Sequence, residues 1–300
     1  DKVFEKLVPS TTSVSTSVTD EPSGQGDVAK VSIVANQSSV NEATAPTFTV
    51  SLNKPLDKDL TVTLSNNDTV LFKAGETSKV YTAPAQGDDV FKDPGTVTVG
   101  ISKAEVPNAT FEKLEFSNPA SVSVTDTESK VTAVLSVDKS TVAEGGAITY
   151  TVTLVGDNSN LPVTGHGGVT VTLSGGTQVT INAGSATGSV TINAPDDVYV
   201  GGQPTITKSI TDITVSGDKV FEKLVPSTTG VSTSVTDEPS GQGDVAKVSI
   251  NGTTSLNEGE TGTYTLNLTH EAKDEVTVTL SYSGTAKNGE DFIGVTTVKI

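Results

Sequence analysis

Cysteine, methionine and tryptophan are absent from this 300-residue chain, and histidine occurs twice. Without cysteine there can be no disulfide, no thiol nucleophile and no thiolate zinc site. No apolar run approaches the roughly 18 residues of a bilayer-spanning helix, and there is no secretory leader. The chain reads as an internal segment of a longer array, so neither absence bears on the whole protein. Positive charge is scarce as well, with 19 Lys and Arg against 36 Asp and Glu and a net charge of -17. That balance disfavours nucleic acid and anionic membranes as partners. Apolar content is 34%, modest but regularly alternating, which favours thin half-buried strands over one large core or disorder.

The chain is rich in repetition. Residues 1–33 return at 218–250 with one change, Ser13 against Gly230. Such an array lengthens by stacking copies, and its partners are the neighbouring repeats of the same chain. A weaker echo lies inside the unit: FEKL at 111–114 recurs at 221–224, and Ala83-Pro84 with Asp88-Asp89 matches Ala194-Pro195-Asp196-Asp197. The expected modules are 28–127 and 130–238. They are flanked by the tail of a preceding module at 1–27 and the first half of another at 245–300.

Period-two alternation of β-branched and aromatic residues predicts strands buried on one face, as at Phe48, Val50 and Leu52, at Tyr150, Val152 and Leu154, and at Tyr264, Leu266 and Leu268. By this register Tyr150 and Tyr264 stand where core Phe48 stands. In the first module strands are predicted at 28–34, 46–53, 60–65, 69–73, 77–83, 95–102 and 120–125, with FEKL adding a short extra one. Seven short antiparallel strands in about 100 residues predict an all-β, immunoglobulin-like sandwich, repeated end to end.

Strands that alternate in direction carry every second loop to one pole. Glu42, Asp68, Asp88, Asp89 and Asp126 should meet there, as should Glu144, Asp196, Asp197, Asp237 and Glu238 in the second module. Asp20 aligns with Asp237 through the duplication. Converging carboxylates repel unless a cation intervenes, and calcium, which takes six to eight oxygens from loosely constrained loops, suits them best. Capping of turn backbone is the competing role for each acid taken singly. Acid-rich junctions follow the last strands, TDTES at 125–129 and TDEPSGQGD at 236–244.

Asn41-Glu42, Ala74-Gly75-Glu76-Thr77, the DDV[FY] motif at 88–91 and 196–199, the closing SVTD, and GTAKNGEDF at 284–292 together resemble Calx-beta and related bacterial immunoglobulin-like repeats. The resemblance implies calcium binding at Glu42, Asp88, Asp89 and Asp126, at their second-module partners, and at Glu258 and Asp291 in the third. Paired modules near 220 residues are also similar to the repeat regions of large Gram-negative adhesins exported by type I secretion and often ending in RTX segments. That likeness implies an extracellular, cell-surface extender, stiffened by calcium, projecting a distant binding domain for attachment and biofilm formation. A glycan- or surface-binding module is the alternative reading, although the chain has no tryptophan to serve as a platform. No catalytic residue is assigned. His166 in TGHGG reads as a surface-turn residue, and adjacent Asp88-Asp89 imply no substrate cleft.

Overall fold

The computed structural model describes residues 3–19, 27–108, 110–239 and 243–300, so Asp20 lies outside the described residues. Among them every regular element is a strand, and the chain divides into two compact units. The first comprises Asp1–Val131 with Gly156–His166 and Gly217–Val225. The second comprises Thr132–Val155, Gly167–Ser216 and Pro226–Ile300.

Ten strands build the first unit: β1 (Val28–Ala35), β2 (Ser39–Asn41), β3 (Thr47–Leu52), β4 (Leu60–Leu64), β5 (Thr69–Phe72), β6 (Ser78–Thr82), β7 (Gly95–Val99), β8 (Ile101–Glu105), β9 (Lys113–Phe116) and β10 (Ala120–Thr125). One sheet has the order β6–β3–β1–β9. The other layer consists of β2–β10–β7 and β5–β4–β8. Alternation puts Val31, Ile33, Phe48 and Val50 of the first layer against Leu60, Val62, Leu64, Phe72 and Val122 of the second, all buried in one core.

Two features depart from the simple alternating sandwich. The strand predicted over 95–102 is divided at Gly100 into β7, which pairs with β10, and β8, which pairs with β4. Gly100 donates its N–H to Ser65 Oγ at 3.0 Å, and a Cβ there would lie 3.2 Å from Pro119, so the switch falls where a side chain fits poorly. Nor are all pairings antiparallel: β1 runs parallel to β9, and β2 parallel to β10. β8 and β9 belong to different sheets, so no hairpin joins them and the crossover lets β9 run with β1. The last two residues of the FEKL motif at 111–114 open the expected extra strand, β9.

The second module repeats this plan. Its strands are β11 (Lys130–Val137), β12 (Thr141–Ala143), β13 (Ala147–Gly156), β14 (Gly168–Leu173), β15 (Gln178–Asn182), β16 (Thr187–Asn193), β17 (Ile206–Lys208), β18 (Ile210–Val215), β19 (Lys223–Pro226) and β20 (Val231–Thr236). Their orders, β16–β13–β11–β19, β12–β20–β17 and β15–β14–β18, reproduce the first set strand for strand. Tyr150 is buried at the place of Phe48, as its register predicts. Beyond them β21 (Val248–Gly252) pairs with β22 (Tyr264–Leu268), and β23 (Thr277–Thr279) with β24 (Thr297–Lys299). Tyr264 is exposed here, against its predicted core position, because β21 and β22 form only a two-stranded sheet among the described residues.

Candidate metal centre

In the first unit the Glu42 N–H donates to the Thr125 carbonyl at 3.0 Å, tying the end of β2 to the end of β10. The Glu42 side chain is 0% exposed. Its Oε1 accepts from the Thr127 N–H at 3.0 Å, whereas Oε2 is buried without a partner. An unsatisfied buried charged group costs more than the 1–3 kcal/mol or so of a neutral one, so this oxygen marks a place where something is missing from the balance. After β6, Asp88 presents a second buried, unpartnered oxygen, and Asp89 accepts from the Phe91 N–H at 2.6 Å. Asp126, just past β10, accepts from the Asp93 N–H at 3.2 Å.

A further carboxylate comes from residues 217–225. Phe91 bridges antiparallel to Phe221, with the Lys92 N–H donating to the Val220 carbonyl at 2.8 Å and the Glu222 N–H to the Val90 carbonyl at 2.9 Å. The rings of Phe91 and Phe221 stack with centroids 4.9 Å apart. Glu222 is thereby held beside the acids: Oε2 accepts from the Ser129 N–H, and Oε1 is buried without a partner. Carboxylate oxygens of Glu42, Asp126 and Glu222 lie within 4.8 Å of one another, and so do those of Glu42, Asp89 and Asp93. The two groups meet at Glu42.

Repulsion is written in the acidities. Burial, with repulsion from Glu222, Asp88 and Asp89, pushes Glu42 up to about 7 against the opposing Thr127 N–H. Burial likewise raises Glu222, with Asp126, Asp88 and Asp89 adding to it and the Ser129 N–H opposing.

The second unit builds a smaller version. The Glu144 N–H donates to the Thr236 carbonyl at 2.8 Å, repeating the Glu42 tether. Glu144 is 5% exposed, and neither carboxylate oxygen has a partner. One oxygen each from Glu144, Asp196 and Glu238 lie within 4.8 Å. The backbone N–H of Glu238 lowers its pKa, but burial, the hydrogen bond and charge of Asp196 and the hydrogen bond of Asp237 outweigh it, and the carboxyl stands above its ordinary value.

The remaining predicted residues are placed elsewhere. Asp68 is not brought into the group: its carboxylate accepts from the Tyr81 hydroxyl and from Asn66 Nδ2, in a turn where Asn67 has φ 69°. Asp197 serves the Tyr199 N–H at 2.8 Å and Gln203 Nε2 at 2.7 Å, and Asp237 the Gly201 N–H at 3.1 Å. In the third repeat Asp291 accepts from the Lys287 N–H at 2.7 Å, and Glu258 is exposed. Neither joins a group of three among the described residues. His166, predicted to lie on a surface turn, is instead 2% exposed and packs on the Phe221 ring at 5.7 Å. Sequence reasoning missed Asp93 and Glu222. The signal for Glu222 was present, since FEKL recurs with its glutamate at Glu5, Glu112 and Glu222.

A hard divalent cation fits these groups. Every donor is a carboxylate oxygen, five such oxygens in the two units are buried with no partner, and no histidine belongs to any of the three groups. Calcium accepts that donor set and the irregular loop geometry; zinc and its relatives would call for nitrogen or sulfur.

A family model described as the LapA domain matches residues 27–127 and 130–238. No curated protein matches the chain in sequence. Among solved structures, CBD12 from CALX1.2 shares 10% identity, with 69% of this chain and 100% of that chain covered and a TM-score of 0.28. The Yersinia pseudotuberculosis adhesin InvE shares 15%, covering 69% of this chain and 58% of that one, with a TM-score of 0.26. The Escherichia coli adhesin FdeC shares 14%, covering 86% and 81%, with a TM-score of 0.24. These likenesses are too distant to add to what the residues themselves show.

Proposed function

The chain belongs to the LapA domain family, and from that premise we propose that it is a non-enzymatic extender of a large bacterial cell-surface adhesin, stiffened by calcium and serving attachment and biofilm formation. Repeated sandwiches add reach without adding chemistry, which suits a spacer that carries a distant binding domain. Type I secretion and terminal RTX segments go with this reading through the resemblance of its repeats to such adhesins.

The observation that carries the proposal is the pair Glu42 and Glu144, buried at equivalent places with unpartnered oxygens among other carboxylates. Without a cation these acids repel one another and loosen the loops after β2, β6 and β10. With one, the loops share a common ligand, and the acids that follow β10 and β20, Asp126 and Glu238, are held by it. Extracellular calcium modules bind at about 0.1–1 mM, in the range of natural waters and body fluids.

A site that exists only in the folded state adds about 2.7 kcal/mol when the ion is at 100 times its dissociation constant. Thermal unfolding in millimolar calcium should therefore show a higher midpoint than in chelator, and small-angle scattering a longer maximum dimension. Equal midpoints would sink the calcium site. Superimposable scattering with calcium bound would leave the site and remove the stiffening.

A further inference from the structure

The FEKL motifs at 111–114 and 221–224 do more than extend a sheet. In the first unit Glu222 spans two duties: Oε2 holds the Ser129 N–H, one residue before β11, and Oε1 is buried unpartnered beside Glu42 and Asp126. Glu112, the same motif one repeat earlier, makes the first contact identically, its Oε2 accepting from the Asp27 N–H one residue before β1. The clamp on the strand start is thus a property of the motif. The spare oxygen faces acids that belong to the preceding family match, 27–127, whereas Glu222 belongs to 130–238.

The surroundings of the DDV[FY] motif repeat as well. Phe91 is covered by Phe221, by Gly165, whose Cβ would lie 2.7 Å from the ring, and by Lys219 Nζ at 5.4 Å from the ring centroid. In the second unit Tyr199 takes the place of Phe91, and Lys273 Nζ of the following repeat sits 3.8 Å from its ring centroid and 3.5 Å from Asp197. The repeat beginning at 245 thus brings a loop to Tyr199.

We propose that the FEKL glutamate of each repeat is a cation ligand for the repeat before it, so that Glu222 completes the Glu42–Asp126 site. The proposal rests on the calcium reading above. It makes the cation a bond between consecutive family domains: the aromatic bridge Phe91–Phe221 positions the motif, and the glutamate converts position into ion-dependent attachment. Removing one carboxylate from a calcium site lowers affinity steeply, because ligand charge sets it.

The test is calcium titration by calorimetry on the 300-residue chain and its variants. Glu222→Gln keeps an oxygen for the Ser129 N–H and so preserves the strand clamp. It should weaken the binding lost in Glu42→Gln by about tenfold or more while leaving untouched the binding lost in Glu144→Gln. Circular dichroism in chelator should give Glu222→Gln a midpoint no lower than the parent. Parent-like calcium binding by Glu222→Gln, with Glu42→Gln defective, overturns this inference and leaves the calcium reading standing. Absence of binding by the parent chain overturns both.

Discussion

Glu42 is one carboxyl with two possible neutralising partners, a proton or a cation, and its surroundings set the exchange between them. Its pKa is pushed up to about 7 in the fold against 4.5 for an ordinary glutamate. The folded state therefore binds the proton more tightly, so its contribution is full below about 4.5 and is lost as pH rises through about 7. The difference corresponds to on the order of 3 kcal/mol. In chelator the unfolding midpoint of the first unit should fall between pH 5 and pH 8, and Glu42→Gln should flatten that fall. Calcium needs the ionised form, so its stabilisation should grow over the same range. The paired Asp27, Asp59 and Glu76 have lowered pKa values and act in the opposite sense, at more acid pH. Glu42, Asp88, Asp89 and Asp126 were legible in the sequence because loops after alternating strands converge. Asp68 was not, because nothing in the sequence says that the Tyr81 hydroxyl will claim it. Glu222 was hidden by distance along the chain, since it arrives through a β-bridge nearly a hundred residues beyond Asp126.

At the level of elements the two ten-strand sets share their strand order, and the contrasts between them are informative. Val50 of β3 faces Lys79 of β6, and Val152 of β13 faces Gly188 of β16. A Cβ at Gly188 would lie 2.2 Å from the Thr180 carbonyl oxygen, so β15 and β16 approach more closely than a side chain allows. Gly188→Lys should therefore destabilise by about 1–3 kcal/mol in a urea titration, even though the residue that faces Val50 in the first module is a lysine. The reverse change, Lys79→Gly, should cost about 0.5–1 kcal/mol from backbone entropy alone. A neutral Gly188→Lys would show that β16 can shift outward without loss. Strand existence followed from alternation at Phe48, Val50 and Leu52. The division of β7 from β8 and the parallel partners of β1 and β10 did not, because alternation reports which face is buried and is silent on which neighbour supplies the hydrogen bonds.

For the molecule as a whole, a charge of -17 and a repeated fold describe a chain that is cohesive within each sandwich and repulsive in its loops. One feature of the sandwich matters when the chain is pulled. A module's chain enters through β1 and β2 and leaves through β10, and β2 pairs with β10 in parallel over Ser39–Asn41 and Ser123–Thr125. Tension applied at the two ends then drags these strands past each other along their length. All their cross-strand bonds bear load at once, together with the Glu42 N–H to Thr125 bond at 3.0 Å, whereas an antiparallel pair joined by a hairpin would peel one bond at a time. Held at residues 28 and 127 in a single-molecule stretching experiment, this fold should break abruptly at high force, and at higher force with calcium than in chelator. Gradual yielding at low force would show that β2 and β10 do not form such a clamp. In a sandwich wired in this way, the strands that meet the outside chain are the ones that would carry its tension together.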